Sequence, residues 1–174
     1  MPGSRRHWGW HELDDRWAAR LVERSGVGPT DLVLDIGAGT GAITRHLVAR
    51  GAAVVAFELH PGRVDALRRR FAPDNVRVVC ADVTDLRLPR RPFHVVANPP
   101  WACTAAILHR LLHPRSRLVG ADLVVPVPVA HRWRSGRGPG NRQTASHISV
   151  VGHLSSHCFR PPPPQPAAHL RIRR

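Results

Sequence analysis

The sequence predicts a doubly wound α/β domain: one mostly parallel, seven-stranded sheet with helices on both faces. Three observations carry that reading. From Asp31 to Asn98, short β-branched runs alternate with segments of helical length. The runs are apolar throughout instead of alternating, as strands covered on both faces must be. At 174 residues and 43% hydrophobic, the chain is long enough for one core and too short to make two comfortable ones.

Each element follows in order. Residues 1–30 are expected to form a helical segment over the sheet, and residues 31–174 the α/β domain itself. "DLVLDIG", "AAVVAFE", "VRVVC" and "FHVVAN" read as the first four strands, with "GAITRHLVARG" and "PGRVDALRRRF" as helices between them. "CTAAILHRLLH" places Ala105, Ile107, Leu108, Leu111 and Leu112 on one helical stripe, which Pro114 ends. "LVGADLVVPVPVA" reads as a fifth strand, and "HRWRSGRGPGNRQTASH" as an Arg/Gly/Pro-rich loop. "ISVVGHLSSHCF" and "AHLRIRR" complete the sheet on either side of the prolines 161–164.

The formal charge is +14, and all 26 basic residues are arginine. Arginine makes planar, bidentate contacts to phosphate and stacks on bases, so a polyanion is the expected partner. A GC-rich genome equally accounts for arginine over lysine, but not for the net charge. Cys80, Cys103 and Cys158 lie far apart with no CxxC spacing and read as thiols of a reducing compartment. The N-terminus lacks the apolar core of a signal peptide, and no apolar run approaches the roughly 18 residues of a membrane span. A cytoplasmic protein without a membrane partner is expected. His109 and His113 are spaced i, i+4 on a helical pattern, but no third ligand matches them, so no metal is expected.

The first chemical signal is "LDIGAGTG". Asp35 ends a strand, and Gly37, Gly39 and Gly41 fill the turn into a helix, where a backbone can approach a ligand beyond the strand ends. Alone, such a turn serves a dinucleotide, another nucleoside ligand or only a tight bend. Two further acids narrow this. Glu58 ends the second strand, placed to accept ribose hydroxyls; Asp82 follows the third, placed to accept from an adenine amine, with Val83 against the ring. Each acid alone is equally a solvated turn residue. Together they converge on one edge of a parallel sheet.

With this acid-and-glycine turn and ribose-binding acid, the sequence resembles the class I S-adenosylmethionine-dependent methyltransferases, a Rossmann-like fold. The resemblance implies S-adenosylmethionine as cofactor, held by Asp35, Gly37, Gly39, Gly41, Glu58, Leu59, Asp82 and Val83. "DIGAGTG" does not have the GxGxxG spacing that NAD would favour.

"NPPW" follows the fourth strand. An exocyclic amine is a poor nucleophile because its lone pair is delocalised into the ring. Hydrogen bonds to the Asn98 side-chain oxygen and the Pro99 carbonyl would hold it and favour tetrahedral geometry, so rate would come from positioning. Trp101 can stack on an extruded base. The bland alternative is a strand-ending turn with a core tryptophan. The motif is shared by methyltransferases of adenine N6 and of glutamine amides in release factors.

"CFRPPPPQPAAHLRIRR" is similar to the terminal segment of the rRNA adenine N6-methyltransferases, which implies that Phe159 faces the target base opposite the NPP turn. The prolines could instead form a polyproline ligand or a tail. "WGWHELDDRWA" resembles the Erm branch over the small-subunit branch, and the resemblance spans Trp8 to Arg174. It implies N6 methylation of 23S rRNA, resistance to macrolides, lincosamides and streptogramin B, and a monomer. His11 and Asn98 would join the cofactor site. Three departures stand out: Trp101 where Tyr or Phe is usual, no Gln-Asn-Phe near His11, and an end where relatives continue into a helical RNA-binding domain. The catalytic domain alone would then hold RNA, through Arg132, Arg134, Arg137 and Arg142, whereas Arg68 to Arg70 suit a solvated face. Amide methylation and cofactor-independent RNA binding are the competing functions.

Overall fold

The computed structural model describes residues 11–138 and 147–174. Its strands are β1 (Glu12–Leu13), β2 (Leu32–Ile36), β3 (Ala53–Glu58), β4 (Val76–Cys80), β5 (Phe93–Ala97), β6 (Leu118–Pro126), β7 (His147–Leu154), β8 (Phe159–Arg160) and β9 (Ala167–Arg173). The helices are α1 (Asp15–Ser25), α2 (Ala42–Ala49), α3 (Pro61–Arg70), α4 (Thr104–Leu111) and α5 (Val127–Arg134). Seven strands form one sheet in the order β4-β3-β2-β5-β6-β9-β7, parallel from β4 to β6, with β9 antiparallel to both its neighbours. The expected seven-stranded doubly wound sheet is therefore present. Winding reverses between β2 and β5, and ligands of such sheets bind beyond the strand ends at that point.

Each central strand feeds two cores. Leu34 and Ile36 of β2, Val95 and Ala97 of β5 and Leu123 of β6 pack on one face with Ile107, Leu108 and Leu111 of α4. Val33, Val96 and Val124 of the same strands face α1 and α2 through Leu21, Val22, Ile43 and Leu47. This two-sided demand is why apolar residues fill successive positions of these runs instead of alternate ones. Asp14 caps α1, accepting from the Arg16 N–H at 3.0 Å, and Gly26 ends it in the left-handed conformation at φ 75°.

Two local readings are corrected. "VPVAHRWR" is α5, not the end of a strand followed by a loop: Pro126 caps it and Pro128 sits in its first turn, where a missing N–H costs nothing. Arg132 and Arg134 thus project from a helix, Arg137 follows it, and Arg142 lies outside the described residues. The indole of Trp133 is buried beneath Gly138, where a Cβ would lie 2.5 Å from the ring. Nor is "ISVVGHLSSHCF" one strand. β7 stops at Leu154, a 3₁₀ turn covers Ser156–Cys158, and β8 pairs antiparallel with β1 as a separate two-stranded ribbon. Among the described residues, the N-terminal segment thus holds a strand, β1, before its helix.

Among the described residues, no helix is long and apolar enough to cross a membrane, and no group of three His, Cys, Asp or Glu side chains could hold a metal. The three cysteines are free thiols.

Asp122 of β6 ties the antiparallel half to α1. It is buried, with His169 Nε2 at 2.6 Å, Arg171 Nε at 2.9 Å and Arg173 Nη2 at 2.9 Å. The same arginines donate to the carbonyls of Arg24 and Ser25 at the end of α1, where cations are favoured. Burial by itself raises the Asp122 carboxyl, but the His169 hydrogen bond and the two arginines outweigh it and hold it below its ordinary 3.8. A depressed acid adds stability above its unfolded pKa and loses it as pH falls through the folded value. Asp122→Asn should therefore cost about 3 kcal/mol at pH 7. Thermal melts should show the gap between the two proteins closing only below about pH 4.

A candidate active site at the winding reversal

Beyond β2, Gly37, Gly39 and Gly41 adopt φ of 80°, 58° and 89°, a region that other residues rarely enter. A Cβ on Gly37 would lie 2.7 Å from Pro100 Cδ, and one on Gly41 2.8 Å from the Phe71 ring. At these two positions the space that a side chain needs belongs to the protein itself. The glycine loop and the proline turn are packed into each other, which places the ends of β2 and β5 side by side.

Two acids serve that loop. Glu58, 6% exposed, accepts from Gly39 N at 2.9 Å through Oε2, and from Leu59 N at 3.0 Å and His60 N at 2.9 Å through Oε1. Its carboxylate fastens the glycine loop to the end of β3. Asp35 is buried and accepts from Thr44 Oγ1 at 2.6 Å through Oδ2, while Oδ1 has no hydrogen-bond partner among the described residues. Burial pushes its carboxyl up to about 7, a rise that the Thr44 hydrogen bonds only partly reverse and nearby Glu58 reinforces. Asp82 is exposed and caps a short turn, accepting from Thr84 N and Oγ1, both at 2.8 Å; Val83 beside it is buried.

At the end of β5, Asn98 Nδ2 donates to the His11 carbonyl at 2.7 Å. That bond commits the amide: its oxygen, Oδ1, is buried and without a partner among the described residues. Pro99 is buried. Trp101 is half-buried, with the His11 ring tilted against it at 5.5 Å and Phe159 meeting it edge-on at 5.8 Å. His11 Nδ1 hydrogen-bonds the Pro161 carbonyl at 2.8 Å. His11 therefore lies beside Asn98 and Trp101. Phe159 is 1% exposed, within the core that holds Leu13, Val124 and Leu154. Its ring meets Trp101 edge-on from within that core.

Sequence reasoning missed Glu12, Leu13 and Thr40. They close a cavity of about 20 Å³ with Asp35, Gly37, Gly39 and Asn98, and Thr40 Oγ1 donates to Glu12. No local pattern betrays two-residue strands; β1 exists only because β8, just before the proline run, pairs with it. The residues present fit an S-adenosylmethionine: buried carboxyl and amide oxygens lack partners, and they border a loop with backbone N–H groups and two acids.

The sequence profile of the ribosomal RNA adenine dimethylase family matches residues 6–174. Among curated proteins, an rRNA adenine N-6-methyltransferase of Bacillus licheniformis is 32% identical, over 88% of this chain and 56% of its own length. The mycinamicin-resistance protein MyrB of Micromonospora griseorubida is 36% identical, over 99% and 56%. A ribosomal RNA small subunit methyltransferase A of Synechococcus is 31% identical, over 99% and 68%. The chain thus spans just over half the length of the first two. The crystal structure of the 23S rRNA methyltransferase ErmE superposes with a TM-score of 0.83 at 28% identity, covering 94% of this chain and 69% of that one.

The raised Asp35 carboxyl sets a pH dependence of its own. Between its unfolded value near 3.8 and about 7, the folded protein binds more protons than the unfolded chain, so stability falls as pH rises through that window. Asp35→Asn should remove this loss. Thermal melts should show the variant gaining on the parent from pH 4 to pH 7, by up to about 4 kcal/mol.

Proposed function

The chain belongs to the ribosomal RNA adenine dimethylase family, and on that premise we propose that it transfers a methyl group from S-adenosylmethionine to adenine N6 of 23S rRNA, conferring macrolide, lincosamide and streptogramin B resistance. One observation carries the reaction: the buried Oδ1 of Asn98, held at the end of β5 with its amide orientation fixed by the His11 carbonyl. The 23S assignment is supported by the likeness to ErmE, and resistance by the likeness to MyrB.

Bound S-adenosylmethionine supplies an electrophilic methyl group on a sulfonium. Glu58 would hold its ribose, Asp82 and Val83 its adenine, and the loop from Gly37 to Gly41 with Asp35 its amino-acid end. The target amine carries two N–H donors, and Asn98 Oδ1 accepts one of them, with the Pro99 carbonyl assigned to the other. Both hydrogen bonds strengthen as the nitrogen leaves the plane of the base and acquires charge. The new ammonium releases its proton readily to water, so no strong base is needed. Trp101 stacks on the extruded base, and its own attitude is fixed by Phe159 and His11.

The likeness to the small-subunit methyltransferase of Synechococcus supports a second reading in which the adenine belongs to 16S rRNA. Incubation with labelled methyl donor and each protein-free rRNA, followed by mapping, separates the two. Label at adenine N6 of 23S rRNA is expected. Label in 16S rRNA alone would overturn the 23S assignment, and none on either, with cofactor bound, would overturn the reaction. Asn98→Ala should lower the transfer rate by about 100-fold or more while cofactor affinity changes little, as read by calorimetric titration with S-adenosylmethionine.

A further inference from the structure

The net charge is not spread evenly along this chain, because the acids are not. Residues 86–174 hold 14 of the 26 arginines and a single acid, Asp122, and so carry +13 of the formal +14. That acid is buried and already paired with Arg171 and Arg173. These residues build β5, β6, β9 and β7, one lateral half of the sheet.

Part of this charge lies far from Asn98. A groove of about 790 Å³ opens where the chain enters β5 and β6, lined by Arg90, Arg110, Arg115 and Arg117 with His109 and His113, and by no acid. It sits at the N-terminal ends of the parallel strands, whereas Asn98 follows the C-terminal end of β5. The five residues of β5 put roughly 16 Å between the two levels. The groove's frame is fixed. Arg110 spends its guanidinium on the carbonyls of Leu86 and Thr84. Arg174 holds the turn before β6 through the carbonyls of Ser116 at 2.9 Å and His113 at 3.3 Å. His113 Nδ1 accepts from Arg115 N at 3.1 Å, so its Nε2 carries the proton and is a donor even when the ring is neutral. Arg90, Arg115 and Arg117 remain exposed on that frame.

We propose that this groove is a second RNA contact, taking the phosphate backbone of a helical stem without reading its sequence. The proposal rests on the rRNA reading above for its partner. Exposed guanidinium groups on a fixed frame, with no carboxylate lining the groove, suit the phosphates of a nucleic-acid backbone, and such contacts position a nucleic acid while leaving specificity to the base site. RNA engaged at both levels must pass along the β5–β7 side of the domain, so the groove sets the direction from which the target adenine arrives.

The test uses the full chain and two probes, protein-free 23S rRNA and an unrelated RNA hairpin, with affinity measured by anisotropy across a salt series. The triple substitution R90Q/R115Q/R117Q should weaken both RNAs about tenfold or more and flatten the plot of log affinity against log salt by about two to three units. Melting temperature and S-adenosylmethionine affinity should stay those of the parent. Arg115→Gln alone, at an exposed side chain, should flatten the slope by about 0.7 to 0.9 and serves if the triple variant fails to fold. Parental slopes and affinities in these variants would overturn the groove, as would displacement of RNA by polyglutamate of equal charge at equal concentration. Methyl transfer is scored separately on the same RNAs. A parent that binds through the groove but labels no adenine overturns the reaction and keeps the groove; transfer with an unchanged slope in the variants does the reverse.

Discussion

The glycine loop after β2 and the proline turn after β5 occupy each other's side-chain space, and the site depends on that contact. Pro100 fills the volume that a residue other than glycine would need at position 37. Two strand ends on opposite sides of the winding reversal are thereby locked at van der Waals distance, and groups from separate βα units acquire a common frame. Asp35 and Glu58 then hold the loop from within the sheet, through Thr44 and the Gly39 N–H, while Asn98 projects from the other strand. Positioning of this kind is where catalysis without a strong base must find its rate.

The N-terminal ribbon completes the frame. A carboxamide can present either end, and only its partners decide which. Here the His11 carbonyl claims the Asn98 NH₂ and leaves the oxygen without a partner among the described residues, open to the proposed target amine. His11 is in turn fastened to the Pro161 carbonyl, and β1 to β8. The choice of amide face at the heart of the site thus rests on a two-residue strand pair joining distant parts of the chain. Glu12 bonds Thr40 of the glycine loop, so the same ribbon covers the cofactor side.

The central sheet was legible because parallel strands covered on both faces leave an unmistakable apolar run, and because glycines and prolines mark where those runs end. The acids Asp35 and Glu58 were legible from position alone. Their partners were not: Glu58 is satisfied by backbone N–H groups of its own turn and of the glycine loop, which no side-chain pattern encodes. α5 was misread because Val127 and Val129 continue a β-branched run and two prolines punctuate it, whereas a proline in a first helical turn is as acceptable as one in a loop. Phe159 was legible as an aromatic at the edge of the site, and its packing was not. Its neighbours Leu13, Val124 and Leu154 come from segments far apart in the chain, a grouping that no local pattern encodes.

Charge separation across the same winding reversal resolves a conflict that the composition poses. S-adenosylmethionine carries a sulfonium, and RNA is a polyanion, so under the proposed reaction one small domain would attract a cationic centre and an anionic chain at adjacent sites. A uniformly basic surface would favour the second at the expense of the first. Residues 1–85 hold 11 of the 12 acids against 12 arginines, and they build β2, β3 and β4, whose tips bear Asp35, Glu58 and Asp82. The near-neutral half of the sheet carries the proposed cofactor site, and the basic half presents arginines from the turns before β5 and β6 and from α5. Asn98, on the first strand of the basic half and against the last turn of the neutral one, stands where the two fields meet.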